Sequence, residues 1–185
     1  MSAPGHGHRI YPYLLRNVAV VRPNQVWSTD ITYLRLAGGY AFLVAFIDWY
    51  SRYVLSHAVS TTIDHQFCLM ALEEALVHGR AEIHNSDQGC QFTSAPYLKR
   101  VEQAGMLISM DGKGRALDNV FAERLWRTVK YEDVYLKDYA SPREAAVGLT
   151  AYFRFYNHER PHQSLGGRCP AQVYAEKNPH RLVAS

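Results

Sequence analysis

Three carboxylates in this chain stand at informative places, and Asp30 is the one that a solvated surface explains least. Asp30 sits inside an alternating run in which Trp27, Thr29, Ile31 and Tyr33 share one face and Ser28, Asp30 and Thr32 the other. A carboxylate within a core strand is costly unless it is paired or metal-bound. Asp87 follows a short expected strand over 81–84, at its carboxyl end, where α/β sheets place their chemistry. Glu123 lies about one turn into an expected helix that follows the Gly-rich segment 110–116. A strand, a strand end and a helix can converge on one point. Phosphoryl transfer would use such a convergence, because two divalent ions about 3.5–4 Å apart stabilise the attacking and leaving oxygens together. Mg²⁺ takes a few carboxylates and keeps some waters. In that arrangement Asp30 bridges both ions, Asp87 serves one and Glu123 the other. Taken singly, Asp87 also reads as a turn residue and Glu123 as a solvated helix residue.

Basic residues accompany the acids. On the helix of Glu123, Arg127 is four residues on and Lys130 seven, so the three share a face. This is either a local Glu–Arg pair or a stripe that holds a phosphate backbone. Lys113 and Arg115 lie in the Gly-rich segment just before, expected to be mobile and to close over a strand. Asp118 and Asn119 are expected to support the helix start. After the last long helix, Tyr156-Asn157-His158-Glu159-Arg160-Pro161-His162 gathers polar groups, and Arg160 and His162 join the candidate DNA contacts.

The elements that must position these groups follow from period and punctuation. A first strand starts at Val26, Gly38-Gly39 makes a hairpin turn, and 40–47 is an apolar run buried on both faces. Asp48-Trp49-Tyr50-Ser51 turns the chain into a third strand over 52–59. Helical spacing predicts a helix over 63–78 stopped by Gly79. A strand over 81–84, a helix over 95–103 capped by Ser94, an apolar stretch at 106–109 and a helix over 118–132 come next. Ser141, Pro142 and Glu144 form a capping box for a last helix whose apolar face is Ala145, Leu149, Tyr152, Phe153 and Tyr156. The order β-β-β-α-β-α-β-α-α predicts an α/β fold. A three-strand antiparallel meander is joined by parallel strands in a mixed sheet, with helices on its faces.

Composition bounds the function. The chain has 185 residues, 48% apolar, and a formal net charge of +3. It suits one domain with extensions and excludes a wholly disordered chain. So small a charge permits a nucleic-acid partner without requiring one, although three acids assigned to metal would leave Lys113, Arg115, Arg127 and Lys130 to face phosphate. Cys68, Cys90 and Cys169 are odd in number and widely spaced, which excludes a disulfide framework and a Cys-rich zinc site. His6 and His8 read as part of a solvated arm. Residues 1–17 lack the apolar core of a signal peptide, and no apolar run is long enough to span a bilayer. The expected setting is the cytoplasm, with no membrane partner. No phosphate-binding Gly loop or nucleotide fingerprint is present.

Five stretches, in order, resemble the integrase catalytic core of bacterial insertion-sequence transposases, most closely the second-frame (OrfB) portion of the IS3 group, within the retroviral-integrase-like superfamily. They are residues 22–33, from Arg22-Pro23-Asn24 through Trp27 and Asp30 to Tyr33; Ile47-Asp48-Trp49-Tyr50-Ser51-Arg52; Ser86-Asp87-Gln88-Gly89-Cys90-Gln91-Phe92-Thr93-Ser94; Asp118-Asn119-Val120-Phe121-Ala122-Glu123; and Tyr156-Asn157 through Arg160-Pro161-His162-Gln163-Ser164-Leu165. The family spaces the last two members of its acidic triad by 35 residues, as residues 88–122 separate Asp87 from Glu123 here. The resemblance implies a ribonuclease-H-like fold with Asp30, Asp87 and Glu123 as both catalytic and metal-binding residues. It implies Mg²⁺ or Mn²⁺, two ions with DNA bound, and 3′-end cleavage followed by strand transfer through direct transesterification. Expected partners are double-stranded DNA (transposon ends and target), a second copy in a homodimer or higher oligomer, and a separate helix-turn-helix protein or a partner fused by frameshifting. The expected location is nucleoid-associated in a bacterial cytoplasm. The alternatives are a hydrolytic ribonuclease-H-like nuclease and a non-catalytic transposon-derived DNA-binding or assembly module. Asn85 departs from the family pattern by intervening between His84 and Ser86. The expected division is an N-terminal arm over 1–22, remnant of a missing helix-turn-helix region, a catalytic core over 23–178 and a tail over 179–185.

Overall fold

The computed structural model describes residues 11–112 and 120–176. Its centre is a five-stranded mixed sheet in the order β3-β2-β1-β4-β5. β1 (Val26–Leu36), β2 (Gly39–Asp48) and β3 (Val54–Ser60) form the antiparallel meander. β4 (Ile83–Ser86) lies parallel to β1, and β5 (Leu107–Met110) parallel to β4. The alternation in β1 sorts its side chains as the sequence requires. Trp27, with Val44 and Phe46 of β2, packs under α1 (His65–His78) and α2 (Ala95–Gln103). Leu34 and Leu36, with Leu43, Ala45 and Ile47, pack under α3 (Val120–Val129) and α5 (Pro142–His158). Asp30 belongs to this second face by parity, opposite Ala45. The fold is therefore the expected mixed α/β sheet with helices on both faces.

Several boundaries differ from the sequence reading for local reasons. β3 begins at Val54 rather than residue 52, because the Asp48 carboxylate accepts from Ser51 N–H (2.8 Å) and the Ser51 hydroxyl (2.6 Å) and holds the turn, leaving Arg52 at φ 64°. Helix α1 starts at His65, because Asp64 is its cap and accepts from Gln66 N–H and Phe67 N–H (2.9 and 3.1 Å). Gly79, at φ 143°, ends it as expected. Helix α2 has the expected span, but Ser94 makes no side-chain cap and donates instead to the Gln91 carbonyl (2.9 Å). Gly38 has a second requirement besides its turn, since a Cβ there would sit 2.4 Å from the Ala140 carbonyl oxygen.

The expected continuous helix over 118–132 is described from Val120 and loses its α register at Lys130. A π-helical turn, Lys130–Val134, leads into α4 (Tyr135–Lys137), which Asp138 ends at φ 44°. Such turns recur at functional sites because they re-aim the side chains around them. Helix α5 carries its capping box one residue out of register. Ser141 accepts from Glu144 N–H, while the Glu144 carboxylate accepts from Ala140 N–H (2.8 Å). The whole expected apolar face of α5 is buried.

Two features lie beyond the sequence reading. A final helix, α6 (Pro170–Glu176), is too short to display a period. It is fixed by Tyr174, whose ring stacks on Tyr53 (4.8 Å) and whose hydroxyl donates to Asn24 Oδ1 (2.8 Å). Within the expected arm, residues 11–22 lie against the core, with Leu15 buried beside Val26 and Trp49. His6 and His8 fall outside the described residues, as does the expected tail.

Candidate active site

The register of the sheet brings two of the three acids together. In the parallel β1–β4 pair, Val26 faces Ile83, Trp27 faces His84 and Ser28 faces Asn85. Two residues further along each strand are Asp30 and Asp87. Continued in register, they stand side by side on one face of the sheet, where β4 has just ended.

The loop carrying Asp87 is pinned from both sides. Asp111 N–H donates to the Ser86 carbonyl (2.9 Å), Asn85 Nδ2 donates to Asp111 Oδ1 (2.8 Å), and Gln88 Nε2 donates to the Asp111 carbonyl (2.8 Å). Asn85, the departure from the family pattern, thus ties the end of β4 to the end of β5. Asp87 itself is exposed, and its Oδ1 accepts from Gly89 N–H (2.9 Å). A Cβ at Gly89 would lie 2.9 Å from both Asp87 Oδ1 and Gln91 Oε1, so this glycine leaves room for the carboxylate.

Helix α3 brings the third acid. Glu123 is exposed in its first turn, where a carboxylate also suits the helix dipole. The tie between α3 and β1 is Trp126, whose Nε1–H donates to Asp30 Oδ2 (2.9 Å). Sequence reading missed this residue. Its signal was its place on the helix, three residues after Glu123 and four before Lys130, which puts it within their stripe.

The surroundings of Asp30 set its charge. Burial raises the Asp30 carboxyl to about 6; hydrogen bonds from Trp126 and the backbone oppose that rise, and the negative charges of Asp87 and Glu123 add to it. Lys130 is half-buried. Desolvation pulls its ammonium down while the Asp30 charge holds it up. Arg127 is exposed on the same helix.

As positioned, the three acids do not close into a cage. Among the described residues no group of three or more His, Cys, Asp and Glu side chains is drawn together tightly enough to hold a metal ion. Two of the carboxylates are engaged by internal donors, Asp30 by Trp126 and Asp87 by Gly89. The donor set itself fits a hard divalent cation, being three carboxylates, of which the buried Asp30 feels the charge of the other two.

The remaining candidates divide. Lys113, Arg115, Asp118 and Asn119 fall outside the described residues. Arg160 is paired with Glu132 through two bonds (Nε–Oε2 2.7 Å, Nη2–Oε1 2.5 Å), and Tyr152 donates to the same carboxylate. His162 is buried, edge-on to the Tyr156 ring (4.7 Å). Burial, with Arg160 beside it, lowers its imidazole to about 4. Neither is the freely solvated cation that a simple phosphate contact would be.

Other residues of the matching stretches act as clamps. Asn157 accepts from Val54 N–H and donates to Val54 C=O (2.9 Å each), pairing with β3 as a neighbouring strand would. Trp27 Nε1–H donates to Asn24 Oδ1 (3.0 Å), and the Asp48 carboxylate also accepts from Asn24 N–H (2.7 Å).

Comparison with known proteins identifies the family and the fold. Two models described as integrase core domain match, over residues 20–116 and 104–170. The transposase for insertion sequence element IS629 of Shigella sonnei is 32% identical over 160 residues, which are 85% of this chain and 54% of that protein. The insertion element IS600 uncharacterized 31 kDa protein, also of Shigella sonnei, is 33% identical over 184 residues, covering 97% of this chain and 67% of that one. Transposase InsF for insertion sequence IS3A of Escherichia coli K12 is 32% identical, over 84% of this chain and 55% of that protein. The chain thus spans between about half and two thirds of the length of these relatives. Among solved structures, the HTLV-2 integrase catalytic core domain in complex with magnesium superimposes with a TM-score of 0.67 at 16% identity, over 83% of this chain and 98% of that one. A chain from the structure of the simian T-cell lymphotropic virus intasome in complex with PP2A regulatory subunit B56 gamma reaches 0.74 at 16% identity, over 96% of this chain and 61% of that one. At such identity these two show the shared fold.

Proposed function

The chain belongs to the integrase core domain family, among insertion-sequence transposases of the IS3 kind, and on that premise we propose that it cuts DNA at 3′ ends and transfers the strands by direct transesterification. The observation that carries this reading is the placement of Asp30, Asp87 and Glu123 on a central strand, a neighbouring strand end and a helix that Trp126 ties to the central strand.

In this reading Asp30, Asp87 and Glu123 hold the divalent ions, Mg²⁺ or Mn²⁺. When bound, the ions supply charge stabilisation for the attacking and leaving oxygens of the phosphodiester. The protein's own groups do the positioning. Trp126 fixes the rotamer of the Asp30 carboxylate through its indole N–H. The Asp111 bonds fix the strand end that presents Asp87. Arg127 and Lys130, on the stripe of Glu123, hold the DNA backbone beside the acids, and Lys113 and Arg115 assist from the preceding segment. Arg160 and His162 act less directly, from their internal pairings. No serine, tyrosine or cysteine nucleophile is required.

DNA joining brings two ends together, so the working form is a homodimer or larger. The relatives are bacterial, and no described helix is long and apolar enough to cross a membrane. The proposed location is with the nucleoid in the cytoplasm. Recognition of the terminal repeats is assigned to a helix-turn-helix region, either on a separate protein or on a frameshift-fused partner.

The deciding experiment is a strand-transfer and disintegration assay in Mn²⁺ comparing the intact protein with Asp87→Asn. Joining to a DNA 3′-hydroxyl by the intact protein alone supports the proposal. Release by water without joining assigns a hydrolytic nuclease. Equal behaviour of the two proteins removes the acids from the chemistry. The openness of the triad gives specific weight to one other reading, a DNA-binding or assembly module without chemistry, which requires DNA binding but no activity in the intact chain.

A further inference from the structure

Helix α3 borders a second polar site one shoulder round from its acid-bearing stripe. Arg124 and Thr128 each follow a stripe residue in sequence, Glu123 and Arg127, and so point about 100° around the helix from it. They line a partly open cavity of about 150 Å³. Arg52 reaches this cavity from the turn after β2, and Arg160, His162 and Ser164 reach it from the chain after α5. Three guanidinium groups and an imidazole line it, and among the described residues no carboxylate does. Of the nearby acids, Glu132 pairs with one of the three guanidinium groups, Arg160, and with Tyr152, while Asp48 accepts from Ser51 and Asn24.

Arg52 is the unusual member. Its backbone takes the left-handed conformation, φ 64°, which is strained for a long side chain. Its guanidinium lies on the Phe121 ring, 3.8 Å from the centroid. Its Nη1 is buried and has no hydrogen-bond partner among the described residues. A buried cationic donor without an acceptor is costly, and an oxyanion removes that cost. The cavity holds roughly the volume of five waters at ~30 Å³ each, enough for one oxyanion and too little for a nucleoside. Donors converging from three separate elements suit a tetrahedral anion better than a planar carboxylate.

We propose that this pocket receives one backbone phosphate of the DNA lying across α3, distinct from the phosphate that reacts at the acids. The assignment of DNA as the source rests on the function proposed above. The anion chemistry rests on the pocket alone.

The test is made in EDTA, so that no strand chemistry contributes and failure of the transfer assay leaves its readout intact. Duplex DNA carrying a single neutral methylphosphonate is walked along each strand, and binding is followed by fluorescence anisotropy for the intact protein, Arg124→Gln and Arg52→Lys. Arg124 is exposed, so its variant keeps the test valid if Arg52→Lys fails to fold. The expected result is a position where the methylphosphonate weakens the intact protein about tenfold and the variant hardly at all. The variant should also bind unmodified duplex about tenfold more weakly, with a salt slope shallower by about 0.9. Variants that keep full sensitivity at every position, or a chain that binds no duplex, overturn the proposal. In a second arm, inorganic phosphate is titrated against thermal stability. Stabilisation of the intact protein but not of Arg124→Gln, with no sensitive methylphosphonate position, assigns the pocket to free phosphate and overturns DNA as its source.

Discussion

Trp126 and Asp30 form the pair on which the site's electrostatics turn. The indole N–H favours the ionised carboxylate, while burial and the neighbouring acids favour the protonated one, and the balance stands at about 6. Trp126→Phe removes only the donor. It should raise the Asp30 carboxyl further, move the acidic limb of the pH–activity profile upward, lower Mn²⁺-dependent activity about tenfold, and cost roughly 1 kcal/mol of stability. A pH–rate profile separates this positioning role from a merely structural one, which would leave the limb in place. Asp30→Asn should do the opposite to stability. A carboxyl raised on folding binds its proton more tightly in the native state, so above about pH 6 its ionisation opposes folding. In EDTA at pH 7 the Asn variant should therefore be more stable, by roughly 1–3 kcal/mol, in urea titration, while losing strand transfer. Unchanged or lower stability would show that the Asp30 carboxylate is not strained by burial.

Individual elements present these groups through close approaches that tolerate few substitutions. The end of β4 and the turn after it give Asp87 its place, and Gly89 leaves no room for a side chain beside it. Gly89→Ala should displace the Asp87 carboxylate and lose most activity while moving the melting temperature by only a few degrees. Equal activity with an unmoved melting temperature would mean that the loop yields freely. At the other side of the sheet, Asn157 of α5 completes the hydrogen bonding of Val54 in β3. Asn157→Ala leaves two buried backbone groups unpaired and should cost about 2–4 kcal/mol, read by urea titration. This clamp explains why Tyr156-Asn157 opens a matching stretch although neither residue lies near the acids in sequence.

At the scale of the whole molecule, acid should unfold the protein by a countable number of protons. His84 is fully buried on Tyr97, and burial lowers its imidazole to about 3, as His162 is lowered to about 4. Both take up a proton on unfolding below about pH 6.5, so stability is complete above that pH and falls as pH drops towards their folded values. Asp30 acts against them between about pH 6 and 4, because it releases a proton on unfolding. With His57, which burial also lowers to about 4, the net uptake near pH 5 is about two protons, or roughly 2.8 kcal/mol lost per pH unit for these four groups. Asp30→Asn should steepen that slope towards three protons, and His84→Gln should flatten it. Urea titrations at pH 4.5, 5.5 and 6.5 measure it. A slope that Asp30→Asn leaves unaltered would contradict the raised Asp30 carboxyl.

What the sequence determined by itself was local. The period of two in β1 placed Asp30 on the face opposite Trp27, the apolar run at 40–47 made β2 a strand buried on both sides, and Ser141 with Glu144 opened α5. Each rests on interactions between residues a few positions apart, which chain geometry fixes in advance. The three acids were legible as types and positions, and family resemblance supplied their spacing. Only the tertiary structure decided that Asp87 falls in line with Asp30, that Trp126 and not a charged neighbour holds Asp30, that Arg160 is paired with Glu132, and that Arg52 meets Arg124 in one pocket. Those pairings join residues 28 to 96 positions apart, and no local period encodes which strand lies beside which or where a helix settles on a sheet. Burial decides them, by packing two apolar faces against one sheet and leaving the polar groups between to find the partners within reach.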